Sequence, residues 1–173
     1  MALHEILQFP DPRLKRVSQP VEKVTDALRE LSRDLCEAMY DEPGIGLAAP
    51  QVGEAIRLFV IDTEWNDEDG EKNPRVLINP EFLRKEGTIT WEEGCLSVPD
   101  YTAEVERAAE VTVRALDLDG NEITYECTGL EAICMQHEYD HLDGLLFIDR
   151  ISRLKRSLYV KKRKKKLAAE EEE

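Results

Sequence analysis

Residues 25–40 read TDALRELSRDLCEAMY, and Leu28, Leu31, Leu35 and Met39 recur at helical spacing, so they share one face. Thr25 stands where an N-cap belongs, and a helix is predicted over 25–40. The next stretch, DEPGIGLAAPQVG, is rich in Gly, Ala and Pro and reads as loop. The pattern then changes to strand-like segments: IRLFVID (56–62), RVLINPEFL (75–83), TITWEE (88–93) and EVTVRALD (110–117). The polar segment WNDEDGEKNP (65–74) separates the first two, and the turn DLDGNE leads to a fifth strand, EITYEC (122–127). A second helix should start at Thr128, with Thr128 and Glu131 as a T-x-x-E capping box and Gly144 as its stop. A third should start near Ser152 and run through the lysines, with Leu154, Leu158 and Leu167 as its apolar contacts. No internal repeat interrupts this order. The expected fold class is α+β: mostly antiparallel sheets around a central helix, with a C-terminal helix.

Composition narrows the class. The chain has 173 residues, enough for one domain with a real core, and 42% of them are apolar. We expect residues 1–150 to form the body, and 151–173, a basic helix with an acidic tail, to belong to the same domain. The longest apolar runs, LFVI (58–61) and LLFI (145–148), fall far short of the roughly 20 residues of a membrane helix. The opening MALHEILQFPDPRLKR lacks an apolar signal region and contains acids, so a cytoplasmic, membrane-free protein is expected. Its cysteines, Cys36, Cys95, Cys127 and Cys134, are then expected as thiols or ligands rather than disulfides. The net charge is −14, unevenly spread: residues 151–173 hold nine of 23 basic residues and four of 37 acids, giving +5 there and −19 in the body. Such a body excludes broad nucleic-acid binding, DNA included; only KKRKKK (161–166) suits a polyanion.

The stretch CMQHEYDHLDG (134–144) carries the candidate chemistry. On a helix His137 and His141 lie one turn apart and can share a cation at about 2.0–2.1 Å. Glu138 is offset by about 100°, too far round to be a ligand on that face, yet able to lean over a water beside the cation. This is the H-E-x-x-H arrangement of metal hydrolases. Surface histidines would be the ordinary alternative, but Leu130, Ile133 and Cys134 share their side, so both should be buried, and buried imidazoles need partners. Candidates for a third ligand are His4, a carboxylate or a cysteine; Cys95, in WEEGCLSVP after the permissive Gly94, is the best placed. Cys36 reads as a core residue of the first helix, Cys127 as strand-end packing, and Cys134 as core or pocket lining.

Three segments together, GIGLAAPQ (44–51), EGCLS (93–97) and QHEYDHLDG (136–144), resemble the signature motifs of peptide deformylase, and ILQFPDPRLK extends the likeness over about the first 150 residues. The resemblance implies a metal-dependent hydrolase, acting in co-translational N-terminal processing during protein biosynthesis. It would remove the N-formyl group from the formylmethionine of nascent chains and release formate. It implies metal ligands Cys95, His137 and His141, with Fe2+ the usual ion and Zn2+, Ni2+ or Co2+ able to replace it. It assigns Glu138 as general base and acid, and the Gln51 amide and the Leu96 backbone N–H as donors to the oxyanion. Ile45 and Gly46 would offer backbone groups to an extended peptide, and Ile45, Trp91, Leu130, Ile133, Cys134 and the edge of His137 would line the methionine pocket. Arg107 matches a position near the site entrance, or is a surface arginine at a strand end. The C-terminal helix would meet the ribosome. Two rival readings are a zincin-type metallopeptidase, which wants a third ligand downstream of His141 where no histidine follows, and a metal-stabilised ribosome- or RNA-binding module, which has no need of Gln51.

Overall fold

The computed structural model describes residues 5–65 and 70–172; His4 and the middle of the 65–74 loop lie outside them. Helix α1 spans Asp26–Asp41, and the Thr25 side chain accepts from the Leu28 N–H at 3.2 Å. Seven strands follow: β1 (Gly46–Ala48), β2 (Leu58–Ile61), β3 (Arg75–Glu86), β4 (Ile89–Cys95), β5 (Val98–Arg107), β6 (Glu110–Leu116) and β7 (Glu122–Thr128). Helix α2 is Gly129–Leu142, and helix α3 is Arg153–Glu171. One antiparallel sheet has the order β1-β2-β3-β6-β7; β4 and β5 form a second, two-stranded sheet.

Period-two side-chain placement explains how the large sheet serves two cores. Phe59, Ile61, Leu77, Val111 and Val113 face α2, where they meet Ala132, Met135 and Leu142. The alternate residues Leu58, Val60 and Ile78 face α1 and pack with Leu28, Leu35 and Met39. Every residue of β2 is therefore buried, and its four apolar residues run without a polar break. A third cluster joins Val98 and Val105 of β5 to Phe9, Phe147, Ile148 and Tyr159. Helix α2 lies between the sheets, buried on nearly all sides.

Four expectations are corrected. The Gly-Ala-Pro stretch is not all loop: Gly46–Ala48 pair with β2, and Ala49–Val52 form a 3-10 turn. Strand β5 was not foreseen; its pattern alternates, but mostly between half-buried and exposed positions. Thr128 is the N-cap of α2 but makes no side-chain bond, and Glu131 does not close the box: it turns instead to Arg75 (2.6 Å) and Cys127 (3.0 Å). An ion pair with a hydrogen bond outcompetes a neutral cap. Helix α3 starts at its Ser152 cap as expected, but Leu154 and Leu158 are exposed, and Tyr159 and Arg163 make its buried contacts. Gly144, at φ 76°, lies just beyond the end of α2, as its place in the sequence suggested.

Arg163 holds α3 to the N-terminal segment: Nε donates to the Phe9 carbonyl at 2.9 Å, and a terminal nitrogen to Gln8 Oε1 at 3.1 Å. Replacing Arg163 with Ala strands a buried carbonyl, so we expect a loss of about 1–3 kcal/mol. Urea unfolding with an unchanged m-value checks this.

Candidate metal centre and active site

The centre forms where α2 meets the end of β4. Cys95 ends that strand, beside a break in the β4–β5 register at Gly94. One donor atom each from Cys95, His137 and His141 lies within 4.8 Å of the others. Cys95 Sγ is 3.5 Å from His141 Nε2. His137 Nδ1 bonds to Glu93 Oε1 at 2.8 Å, which leaves Nε2 free to face the cluster. A carboxylate behind a histidine in this way fixes the ring and its tautomer.

Glu93 is in turn held by Arg107, whose Nε and one terminal nitrogen donate to its two oxygens at 2.8 and 2.9 Å. The other terminal nitrogen reaches Asp140 Oδ2 at 2.6 Å, and Asp140 also takes two bonds from Arg150. Arg107 is 6% exposed, so the surface reading of this residue is wrong. Burial alone would raise the Glu93 carboxyl; the bonds from Arg107 and His137 overcome it and hold it at about 2.

Glu138 is buried, and its Oε1 has no hydrogen-bond partner among the described residues. Burial pushes this carboxyl up to about 7, between the affinities needed to take a proton and to return it. Burial, with His137 adjacent, keeps His141 well below the ordinary imidazole value and so neutral, as a ligand must be. Burial opposes protonation of His137 too, yet Cys95 and Glu93 raise it well above the usual value. The pocket thus favours positive charge beside His137, and a thiol with two imidazoles suits a divalent cation. The residues fit a metal.

Gln51, only 2% exposed, is also built in. Its Oε1 accepts from the Ala48 N–H at 2.9 Å, which orients Nε2 toward Ser97 Oγ (3.0 Å) and Cys95 Sγ (3.7 Å). These groups open on a cleft of about 1240 Å³ between the β1 edge and the β4–β5 hairpin. Ile45, Gly46, Gln51, Trp91, Cys95, Leu96, Leu130, Ile133, Cys134, His137 and Glu138 all line it, and His141 lies behind.

The polypeptide deformylase family model matches residues 3–157. The chain belongs to the polypeptide deformylase family. The peptide deformylase of Afipia carboxidovorans is 54% identical over 172 residues, covering 98% of this chain and 99% of that one. The crystal structure of a peptide deformylase from Legionella pneumophila superposes with a TM-score of 0.88 at 43% identity, over 97% of this chain and 98% of that one. That of the Ehrlichia chaffeensis peptide deformylase in complex with actinonin gives 0.88 at 38% identity, over 96% and 98%.

Within this deformylase fold Ile45, Gly46, Gln51, Trp91, Cys95, Leu96, Leu130, Ile133, Cys134, His137 and Glu138 share one cleft, and His141 lies behind it beside Cys95 and His137. The sequence reading missed Glu93, Asp140 and Ser97. Glu93 and Asp140 sit inside two of the motifs, and an acid two positions before the candidate ligand Cys95 was the available signal. The four cysteines are free thiols. Cys127 is buried beside Glu131, and Cys134 lines the cleft, its Sγ 3.6 Å from the Ile45 carbonyl.

Gly46 admits Glu138 by having no side chain. A Cβ there would lie 2.5–2.9 Å from Oε2, Cδ and Cγ of Glu138. Gly46→Ala should therefore displace the carboxylate and leave the three metal donors in place. We expect normal metal content with hydrolytic activity reduced at least tenfold, as read by metal analysis and turnover on one preparation.

Proposed function

We propose that this chain hydrolyses the N-formyl group of the N-terminal formylmethionine of newly made proteins, releasing formate, with Glu138 moving the proton. The observation that carries this reading is the buried Glu138 Oε1, without a hydrogen-bond partner among the described residues, beside a Cys95–His137–His141 donor set in a cleft of about 1240 Å³. The three donors would hold one divalent ion. When bound, the ion supplies Lewis acidity, polarising the formyl oxygen and lowering the pKa of water. Glu138 accepts the proton of the attacking water and delivers it to the leaving amine. Gln51 Nε2 and the Leu96 N–H donate to the oxyanion. Ile45 and Gly46 pair with the peptide backbone, while Ile45, Trp91, Leu130, Ile133 and Cys134 receive the methionine side chain. Fe2+ is the ion we propose, since the thiolate–imidazole set accepts iron as well as zinc.

Formate release from formyl-Met-Ala-Ser, compared with cleavage of a blocked internal peptide, tests the reaction. Glu138→Gln keeps the shape and removes the base, so activity should fall by about 10²–10⁴-fold with metal retained. Cys95→Ser should lose metal, because a hydroxyl is a poor substitute for thiolate. Near-normal turnover in Glu138→Gln would overturn the assignment. Metal analysis of protein purified without oxygen identifies the ion.

The protein is proposed to work in the cytoplasm, in contact with the ribosome through α3. No helix among the described residues is long and apolar enough to cross a membrane. Within the basic run, Arg163 and Lys166 engage the body, Lys166 pairing with Asp100 at 2.5 Å, while Lys161, Lys162, Lys164 and Lys165 are exposed. Four outward lysines on one helix suit a polyanion such as ribosomal RNA. Replacing these four by Glu should abolish co-sedimentation with ribosomes at low salt and leave hydrolysis of a short peptide intact. Binding that survives the replacement would make the helix a solubilising element.

A further inference from the structure

The turn after β2 and the end of α1 are joined by a buried carboxylate outside the catalytic cluster. Asp62, 4% exposed, accepts from the Tyr40 hydroxyl at 2.6 Å and from the backbone N–H groups of Asn73, Glu64 and Trp65 at 2.9, 3.2 and 3.3 Å. Its own N–H donates to the Ile45 carbonyl at 2.9 Å. The Trp65 ring stands edge-on to Tyr40, with centroids 4.9 Å apart at 88°, and Lys72 Nζ lies 4.7 Å from the Tyr40 centroid. So placed, the indole Nε1 donates to the Gly44 carbonyl at 3.2 Å.

Gly44, Ile45 and Gly46 form the edge of the cleft, and β1 is an edge strand of its sheet. Two of these three residues are glycines, the most mobile backbone a chain can have, so the edge owes its position to outside partners. The Asp62 turn supplies two of them on consecutive carbonyls, one through its own amide and one through the side chain of Trp65. An extended peptide binds an edge strand by main-chain hydrogen bonds, which demand that the edge be held in register before the peptide arrives.

We propose that Trp65 is a positioning residue for peptide binding, fixing the Gly44–Gly46 edge through its indole N–H. The inference rests on the formyl-peptide reading above and adds to it a determinant that touches neither metal donors nor the reacting bond.

The test is steady-state formate release by wild type and Trp65→Phe at matched metal content, with formyl-Met-Ala-Ser and with N-formylmethionine alone. The Phe ring keeps the packing on Tyr40 and lacks the donor. We expect KM for the tripeptide to rise about two- to twelvefold, the worth of one neutral hydrogen bond, with kcat within twofold. The change for formylmethionine, which has no following residues to lay along the edge, should be smaller. Tyr40→Phe, which loosens the same turn from its other end, should shift KM the same way and serves if Trp65→Phe fails to accumulate. An unchanged KM for the tripeptide, or an equal fall in kcat on both substrates, overturns the inference. Formate release by wild type with no effect of either variant overturns it alone, and no release by wild type overturns the underlying reading as well.

Discussion

Everything at the centre depends on one buried guanidinium. Arg107, at the end of β5, binds Glu93 of β4 with two nitrogens and Asp140 of α2 with the third. A buried cation is tolerable only when its donors are met by charge, and here two carboxylates meet it. The same contacts clamp the two-stranded sheet onto the central helix and, through Glu93, turn His137 toward the cation site. Removing Arg107 would leave Glu93 and Asp140 as buried carboxylates without the cation they share. Folding and ligand orientation are therefore one requirement.

The parts of the molecule legible in the sequence were those governed by local rules. The spacing of His137 and His141, the Thr25 and Ser152 caps and the apolar face of α1 need only a helix to be read. Strands β2, β3, β6 and β7 of the large sheet announced themselves through β-branched runs. What escaped depended on distant partners. Strand β1 exists because β2 offers it a ladder, although its own Gly-Leu-Ala composition argues for no strand. The contacts of α3 follow Phe9 and Pro99, which accept from Arg163 and Tyr159, so leucine spacing pointed to the wrong face. Arg107 could be read as an entrance residue or as a surface arginine because its two partners, Glu93 and Asp140, belong to other elements. Glu131 left its capping role for Arg75, 56 residues earlier in the chain.

The active site was more legible than the fold that carries it, for a related reason. The proposed metal ligands and base must be particular residue types at particular spacings, so chemistry marks the sequence where packing does not. The groups that hold those ligands answer to geometry alone and leave a fainter mark, as Glu93 and Asp140 show.

Helix α2 is enclosed by both sheets, so the floor of the cleft is also part of the core. Variation there is constrained twice, by volume and by catalysis, and a change that spares one offends the other. Trp91, 45% exposed on the rim, has no such double constraint. A compound gripping Ile133, Cys134 and the metal donors would leave the chain little room to escape by substitution, whereas one leaning on Trp91 would invite it. The architecture thus divides the cleft into a part that evolution can revise and a part that it can only keep.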